Sequence, residues 1–507
     1  MMALESRTET HRLSELLAGL ANVPPQADGD VLAITLDSRN VTRGALFLAC
    51  AGTRGHGKSY IDAAVAAGAA AVAVDDDGAP EIRYLRHGGR EVPLIPMADL
   101  GQRAGEIAGR FYRHPSQALF TIGITGTNGK TSVSHFIAQV LDGEGGCGVV
   151  GTLGAGPVGR THALEHTTPD AVTVHAELAR MREAGARAVA MEVSSHGLAQ
   201  GRVSGVAFDL AVFTNLTPEH LDYHGDMAGY AAAKRRLLER PGLKSVVLNL
   251  DDSYGRLWWE QLAHLQRSGA TLDGTPAAAG AVVRGRHLQL GREGMTLAVD
   301  SPWGSGTLAS PLLGRFNASN LLAALAAVLA AGVPFDVALR TMGQVHTVPG
   351  RMERFGGGPG RPLIVVDYAH TPDALKQVLR ALREHCAGQL WCVFGCGGER
   401  DRQKRAAMGR IAESGADLVV ITDDNPRGED AIGIIEAILG GMQNPDAAYV
   451  ERDRGRAIAR AVELAEPKDI VLVAGKGHED YQQVGEERRP FSDRTEVQRL
   501  LGEVCDG

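Results

Sequence analysis

The chain is 507 residues long, more than one hydrophobic core organises, which predicts two to four domains with three as the working expectation. Hydrophobic residues at 44% and charged residues at 22% exclude a disordered chain. A formal net charge of −8 and a pI near 6.1 exclude a general attraction to nucleic acid or an anionic membrane, so any phosphate must meet a local site.

The six cysteines, Cys50, Cys147, Cys386, Cys392, Cys396 and Cys505, form no CxxC pair and are read as reduced packing residues. The start, "MMALESRTETHRLSELL", lacks the apolar core of a secretory signal. The longest apolar run, Leu321 to Phe335, is too short to span a bilayer and is broken by Gly332 and Pro334, so it is expected as a buried core helix. The expectation is a cytoplasmic monomer with neither nucleic acid nor membrane as partner.

In chain order, "VLAITLD", "GALFLAC" and "AAAVAVDDD" read as strands beside the helical pattern "YIDAAVAAG", a small α/β unit to about residue 115. From "LFTIGITG" onward, apolar runs end repeatedly in polar clusters: "AVAMEVSSH", "DLAVFTNLTPEH" and "SVVLNLDD". That repetition predicts a parallel sheet with its chemistry at the carboxyl edge. After Leu250, alternation in "MTLAVDS" predicts appended antiparallel strands. "PLIVVDYAH", "LWCVFGCGG", "DLVVITDDNPR" and "DIVLVAGKGHED" then predict a second parallel sheet, which sets expected domains at 1–115, 116–346 and 347–507.

The stretch "GITGTNGKTSVSHF", Gly123 to Phe136, is close to a phosphate loop, although the strict pattern wants glycine where Ile124 stands. A strand leads into Gly126, Thr127, Asn128 and Gly129, and Lys130 and Thr131 open a helix whose Val133, Phe136, Ile137, Val140 and Leu141 share one face. Such a turn aims backbone N–H groups at an anion. Lys130 would neutralise β/γ-phosphate charge and Thr131 would offer its hydroxyl to Mg²⁺. A phosphate loop alone leaves motor, kinase, ligase and passive binding module open.

"GTNGKTS", "MEVSSHGL", "TNLTPEHLDYHG", "AAAKRRL", "GRFNASN", "PGRME", "DYAHTPDAL" and "DDNPR", with "TLDSR" near the start and "GKGHEDY" near the end, give a chain that resembles the Mur ligases over nearly its whole length. The resemblance implies an α/β protein of three domains: an N-terminal UDP-substrate-binding domain, a central phosphate-loop ATPase-type sheet, and a C-terminal Rossmann-like amino-acid-binding domain. It implies an ATP-dependent ligase that phosphorylates a substrate carboxylate and lets an amine attack the acyl phosphate. It assigns catalysis to Lys130, Glu192, His220 and Lys234, and metal binding to Thr131, Glu192, His220 and Lys234, with Asn215 nearby. Two Mg²⁺ ions are implied, and Lys234 is expected to be carbamylated, which turns a cation into an anionic oxygen ligand. Asn317, Arg351 and Asp367 would serve ATP; without the resemblance Asn317 reads as a helix cap and Arg351 as a surface cation. Leu36, Ser38, Thr53, Arg54, Gly55, Thr167, Thr168, Ser194, Gln200 and Arg202 would hold the UDP-sugar peptide. His370 is a candidate general base.

The resemblance runs to the branch acting on UDP-N-acetylmuramoyl-L-alanyl-D-glutamate, where the added amino acid is lysine or meso-diaminopimelate. The two differ by one distal carboxylate, and burying it without a cation is costly. Arg427 of "DDNPR" fits that need, with Arg400 as a second cation. Asp424, Pro426 and Gly475 would shape the site, while Asn425 and Glu479 would take the distal ammonium. The expectation is therefore meso-diaminopimelate. A lysine-adding enzyme, a folylpolyglutamate synthase-like activity and a silent nucleotide-binding module are the rivals.

Overall fold

The computed structural model describes residues 10–52, 55–75, 81–275 and 280–502. They pack as two compact units, the first built mainly on the chain up to Ala270 and the second on Val283–Leu325 and the chain from Val333 onward.

The first unit carries a five-stranded sheet in the order Ala33–Thr35, Ala45–Ala49, Ala71–Asp75, Arg90–Met97, Arg83–His87, parallel except for the last pair. The three runs expected as strands are all there. The hairpin Arg83–Met97 was not anticipated, because "REVPLIPM" carries Pro93 and Pro96 and proline argues against a strand. Burial of Val92, Leu94, Ile95 and Met97 outweighs that cost.

A second sheet in this unit runs Gly154–Pro157, Cys147–Gly151, Ala188–Glu192, Phe120–Thr125, Leu210–Phe213, Ser245–Asn249, Gln266–Thr271, parallel after its first pair. The central strands Ala188–Glu192, Phe120–Thr125 and Leu210–Phe213 are buried on both faces and so read as near-continuous apolar runs. Gly123 pairs with Met191 on one side and Ala211 on the other. That register sets the ends of three strands side by side, so the loops after Thr125, Glu192 and Phe213 converge. The helix after the phosphate loop spans Lys130–Asp142, and all five of its expected core residues are buried.

The second unit contains the antiparallel strands Gly294–Ser301 and Gly304–Ser310, where Leu297 faces Leu308. Its main sheet runs Glu353–Gly356, Leu363–Asp367, Ile470–Ala474, Leu390–Phe394, Leu418–Ile421, Tyr449–Val450, parallel after the first pair. One face is covered by the helices Pro372–Arg383 and Gln403–Gly415, the other by Arg454–Leu464 and Asp493–Leu501. Val473 pairs with both Val366 and Val393, so "DYAH", "GCGGERD", "TDDNPR" and "GKGHED" all leave one edge. The core helix spans Arg315–Ala330 and buries Leu321, Leu322, Leu325 and Val328.

Among the described residues no helix is long and apolar enough to cross a membrane. Burial pushes the Cys50, Cys147, Cys392 and Cys396 thiols up to about 12, which suits packing residues. Cys386 is half-buried, and Cys505 lies outside the described residues.

Candidate active site

The loop after Thr125 is folded by its own polar groups. Gly126 sits at φ 150°, and a side chain there would strike Thr214 Oγ1. Asn128 and Asn215 clasp each other, the Asn128 N–H donating to Asn215 Oδ1 at 3.0 Å and Asn215 Nδ2 to the Asn128 carbonyl at 3.1 Å. Thr127 donates its backbone N–H to the Asn215 carbonyl at 2.8 Å, and its hydroxyl lies 3.1 Å from that of Tyr230. Lys130 folds back so that Nζ donates to the carbonyls of Gly126 at 3.0 Å and Thr127 at 2.8 Å. The loop is thus held by hydrogen bonds within the chain.

Beside it, Glu192 ends its strand buried to 1% exposure. Its Oε2 accepts from the Thr131 hydroxyl at 2.9 Å and its Oε1 from the Thr152 N–H at 2.9 Å. Burial raises its pKa, and the Lys130 charge and those hydrogen bonds offset part of the rise. Lys234, on the helix Met227–Leu238, is also 1% exposed. Its Nζ donates to the Gly126 carbonyl at 2.7 Å and lies 4.5 Å from the centre of the Tyr230 ring. Burial, with Lys130 as a neighbouring cation, pulls Lys234 down to about 6. His220 sits at φ 56°, with Nε2 3.6 Å from Glu219 and its ring edge-on to His196.

Thr131 and Glu192 meet as a hydroxyl and a buried carboxylate at the loop, a pair of hard oxygen donors that fits Mg²⁺. Among the described residues no three His, Cys, Asp or Glu side chains gather into a metal-holding group. His220 faces Glu219, His196 and Tyr230.

A cleft of about 1020 Å³ in the same unit is lined by Leu36, Ser38, Gly55, Gln200 and Arg202, five of the residues expected to hold the UDP end. Gln200 Oε1 accepts from Arg202 Nε at 2.9 Å and Nη2 at 2.6 Å, and Arg202 Nη1 donates to the Thr168 carbonyl at 2.8 Å. The hydroxyls of Thr168 and Ser194 are used inside the chain instead. Thr168 Oγ1 donates to the Glu192 carbonyl at 2.9 Å, and Ser194 caps the short helix Ser195–Ala199 by accepting from the Gly197 N–H at 3.0 Å. Thr167 lies 3.1 Å from Thr152, hydroxyl to hydroxyl. Thr53 and Arg54 lie outside the described residues.

In the second unit, Asn317 is not a helix cap: it lies inside the first turn of its helix, 3% exposed, and Nδ2 donates to the Leu313 carbonyl at 2.8 Å. Arg351 is not a free surface cation either, since its guanidinium lies 4.8 Å from the Tyr368 ring centre. Asp367 accepts the N–H groups of Met352 and Ala369, both at 2.8 Å, while burial raises its pKa. His370 Nδ1 is 2.8 Å from the Tyr368 carbonyl, which can only accept, so Nδ1 donates its N–H there.

Residues 423–427 follow the strand Leu418–Ile421. Arg427 sits at φ 50°, its N–H donating to the Gln483 carbonyl at 3.1 Å and Nη1 to the Gly398 carbonyl at 2.7 Å. A side-chain carbon on Gly397 would lie 2.9 Å from Arg427 Nη1 and 3.8 Å from Arg400 Cγ, so the Arg427 guanidinium and the stem of Arg400 approach the same backbone. Pro426 places its carbonyl against Gly398, and Gly475 adopts φ 120°. Asn425 differs from the expectation of an ammonium ligand. Its Oδ1 accepts from Lys476 Nζ and the Gln483 N–H, both at 2.9 Å, and its Nδ2 donates to Glu479 Oε2 at 3.0 Å. With two donors on its oxygen, the amide can present only N–H outward.

Residues 30–112, 124–328 and 350–477 match, in order, the Mur ligase family catalytic domain, the Mur ligase middle domain and the Mur ligase glutamate ligase domain. A UDP-N-acetylmuramoyl-L-alanyl-D-glutamate--2,6-diaminopimelate ligase of Pseudomonas aeruginosa is 51% identical over 481 residues, covering 94% of this chain and 96% of the relative. The chain belongs to the Mur ligase family. A protein of the same name from Alkalilimnicola ehrlichii is 50% identical over 97% of this chain and 99% of its own. A solved structure of a ligase of that name matches at 35% identity and TM-score 0.73, covering 97% of this chain and 99% of its own.

This Mur ligase has site residues that sequence reasoning passed over. Thr152 holds Glu192, Tyr230 lies between Thr127 and Lys234, and Lys476 holds Asn425. Tyr230 carried a usable signal, since it stands four residues before Lys234 and so on the same helix face.

Proposed function

We propose that this Mur ligase is a cytoplasmic ATP-dependent, ADP-forming amide ligase that joins meso-diaminopimelate to UDP-N-acetylmuramoyl-L-alanyl-D-glutamate in peptidoglycan precursor synthesis. The observation that carries the reading is Arg427, whose Nη1 lies against Gly397 and donates to the Gly398 carbonyl, in a chain half identical over nearly its full length to proteins named for that reaction. A buried distal carboxylate needs such a cation, and lysine has no group to use it.

The D-glutamyl carboxylate is a poor electrophile, so ATP converts it to an acyl phosphate that the incoming amine attacks, leaving an amide and inorganic phosphate. In the first unit, the N–H groups of the Gly126–Thr131 turn and Lys130 would bind phosphate; in the second, taken by itself, Arg351 suits a γ-phosphate and Asn317 and Asp367 are the residues this reading gives to the nucleoside. Thr131 and Glu192, with His220 and a carbamylated Lys234 as further ligands, would hold Mg²⁺, which would supply positive charge to screen phosphoryl oxygens. Lys234 suits that modification: with its pKa near 6 the amine is mostly neutral at pH 7, the form that adds CO₂. Leu36, Ser38, Gly55, Gln200 and Arg202 bind the UDP-sugar peptide, with Thr53, Arg54 and Thr167 completing the set and Thr168 and Ser194 shaping the wall. The domains of this reading are 1–115, 116–346 and 347–507 of the chain.

The test is phosphate release from ATP with the UDP-muramoyl dipeptide and meso-diaminopimelate, L-lysine or no amino acid, on wild type and Arg427→Ala. Release confined to diaminopimelate, with kcat/KM lowered on the order of 10²-fold in the variant, is expected for loss of a buried charge partner. Release with lysine overturns the specificity, and no release with any amine overturns the ligase.

A further inference from the structure

Lys476 is a buried cation with no part in the chemistry above. It follows the strand Ile470–Ala474 and its side chain is 0% exposed. A buried ammonium persists only where several acceptors surround it. Here Nζ donates to Asn425 Oδ1 at 2.9 Å and to the Tyr481 carbonyl at 2.8 Å, and lies 3.2 Å from Asp424 Oδ1 and 3.6 Å from Glu479 Oε2. The Asp424 contact is Coulombic, since that oxygen has no aligned hydrogen-bond donor.

The four partners belong to two segments: residues 423–427, and the stretch from Glu479 into the strand Tyr481–Val484 of the hairpin that ends at Pro490. That strand grips the same loop from its other side. Gln482 Nε2 donates to the Asp424 carbonyl at 2.8 Å, Gln483 N–H to Asn425 Oδ1 at 2.9 Å, and Val484 bridges Arg427. Arg427 is thereby held at φ 50°, which a non-glycine residue does not keep without support.

We propose that Lys476 and the strand Tyr481–Val484 brace the Asp423–Arg427 loop, with Lys476 and Gln482 as positioning residues that set amino-acid affinity and selectivity without touching the reacting atoms. Lys476 occupies the Asn425 oxygen, so the amide turns its N–H toward Glu479 and the amino-acid site, and Gln482 holds the backbone on which Arg427 stands. The inference rests on the amino-acid site proposed above.

The experiment measures KM for meso-diaminopimelate, ATP and the UDP-muramoyl dipeptide separately, on wild type, Lys476→Met, Lys476→Arg and Gln482→Ala. Lys476→Met is expected to raise KM for diaminopimelate about tenfold, the scale of one lost hydrogen bond to a charged group, with KM for the other substrates within about twofold. Lys476→Arg, which keeps the cation and its donors, is expected to recover most of that affinity. Gln482→Ala, a half-buried residue whose removal leaves the core intact, is expected to raise the same KM about threefold. Amino-acid KM unchanged in Gln482→Ala and in folded Lys476→Met overturns the brace, as does an equal rise in all three KM values. If Lys476→Met does not fold, Gln482→Ala decides. Wild type that releases no phosphate with diaminopimelate overturns the ligase reading and the brace together, whereas diaminopimelate-dependent wild type with variants of unchanged KM overturns the brace alone.

Discussion

Two buried lysines, one in each unit, have opposite surroundings. Lys234 meets one carbonyl, the face of an aromatic ring and a second cation, Lys130, with Glu219 only partly opposing, and its pKa falls to about 6. Lys476 is buried as completely, yet meets two carboxylates and two carbonyl-type oxygens. Burial alone therefore does not make a lysine reactive; what decides is whether the fold supplies counter-charge. The phosphate-loop region leaves an amine that can lose its proton, and the specificity-loop region uses an ammonium as a fastener. Nearby, Arg454 and Asp493 repeat the second solution, with Nε and Nη2 bonded to the two carboxylate oxygens at 2.7 and 2.8 Å and both side chains 0% exposed.

The largest effect that tests this contrast belongs to the paired ions. Asp493→Asn leaves the Arg454 charge buried without its partner and is expected to cost about 3–5 kcal/mol, read as a lower urea midpoint. A change under about 1 kcal/mol would mean that the arginine finds another acceptor and that pairing is not what holds it.

The unpaired lysine comes next. Lys234→Met and Lys234→Arg are both expected to lower turnover by roughly 10²-fold, the scale of one lost electrostatic group in a dry site. Arginine should fail as badly as methionine because a guanidinium keeps its proton. Recovery by arginine would show that Lys234 acts as a cation, which would erase the difference from Lys476.

How much of this contrast the sequence carries depends on how local each feature is. The phosphate loop was legible because a strand, a glycine-bearing turn and Lys130–Thr131 lie in one short stretch, and glycine and hydroxyl placement there reports backbone geometry directly. Glu192, Lys234, Arg427 and the cleft-lining Leu36, Ser38, Gly55, Gln200 and Arg202 were named only through family resemblance, since one acid, one cation or one loop serine is locally indistinguishable from surface. Lys476 escaped both routes: "AGKGHED" says a lysine follows a strand, but Asp424 and Asn425 lie about fifty residues away in sequence and Tyr481 contributes only a backbone carbonyl. The orientation of the Asn425 amide was hidden for the same reason, because it is set by Lys476 and Gln483. The Arg83–Met97 hairpin was missed because two prolines mask a strand that tertiary burial rescues.

The smallest effect comes from a second base that the first unit buries without counter-charge. His175, on the helix Ala171–Glu183, is 0% exposed; one ring nitrogen is 3.1 Å from the Ser204 carbonyl and Nδ1 has no partner. Burial pulls its pKa down to about 4, with the Ser204 hydrogen bond opposing and His114 adding a little. Unfolded, the imidazole takes its proton near the ordinary value of about 6.5. The unfolded chain therefore binds more protons between those values, so stability is lost as pH falls from about 6.5 and the full penalty is present below about 4. At pH 5 the loss is about 2 kcal/mol relative to pH 7. His175→Gln, which keeps an N–H donor for Ser204 but cannot titrate, is expected to flatten that part of the urea-midpoint profile. An acid limb of equal slope in the variant would mean that His175 is protonated in the fold after all, and that this unit too can supply counter-charge to a buried base.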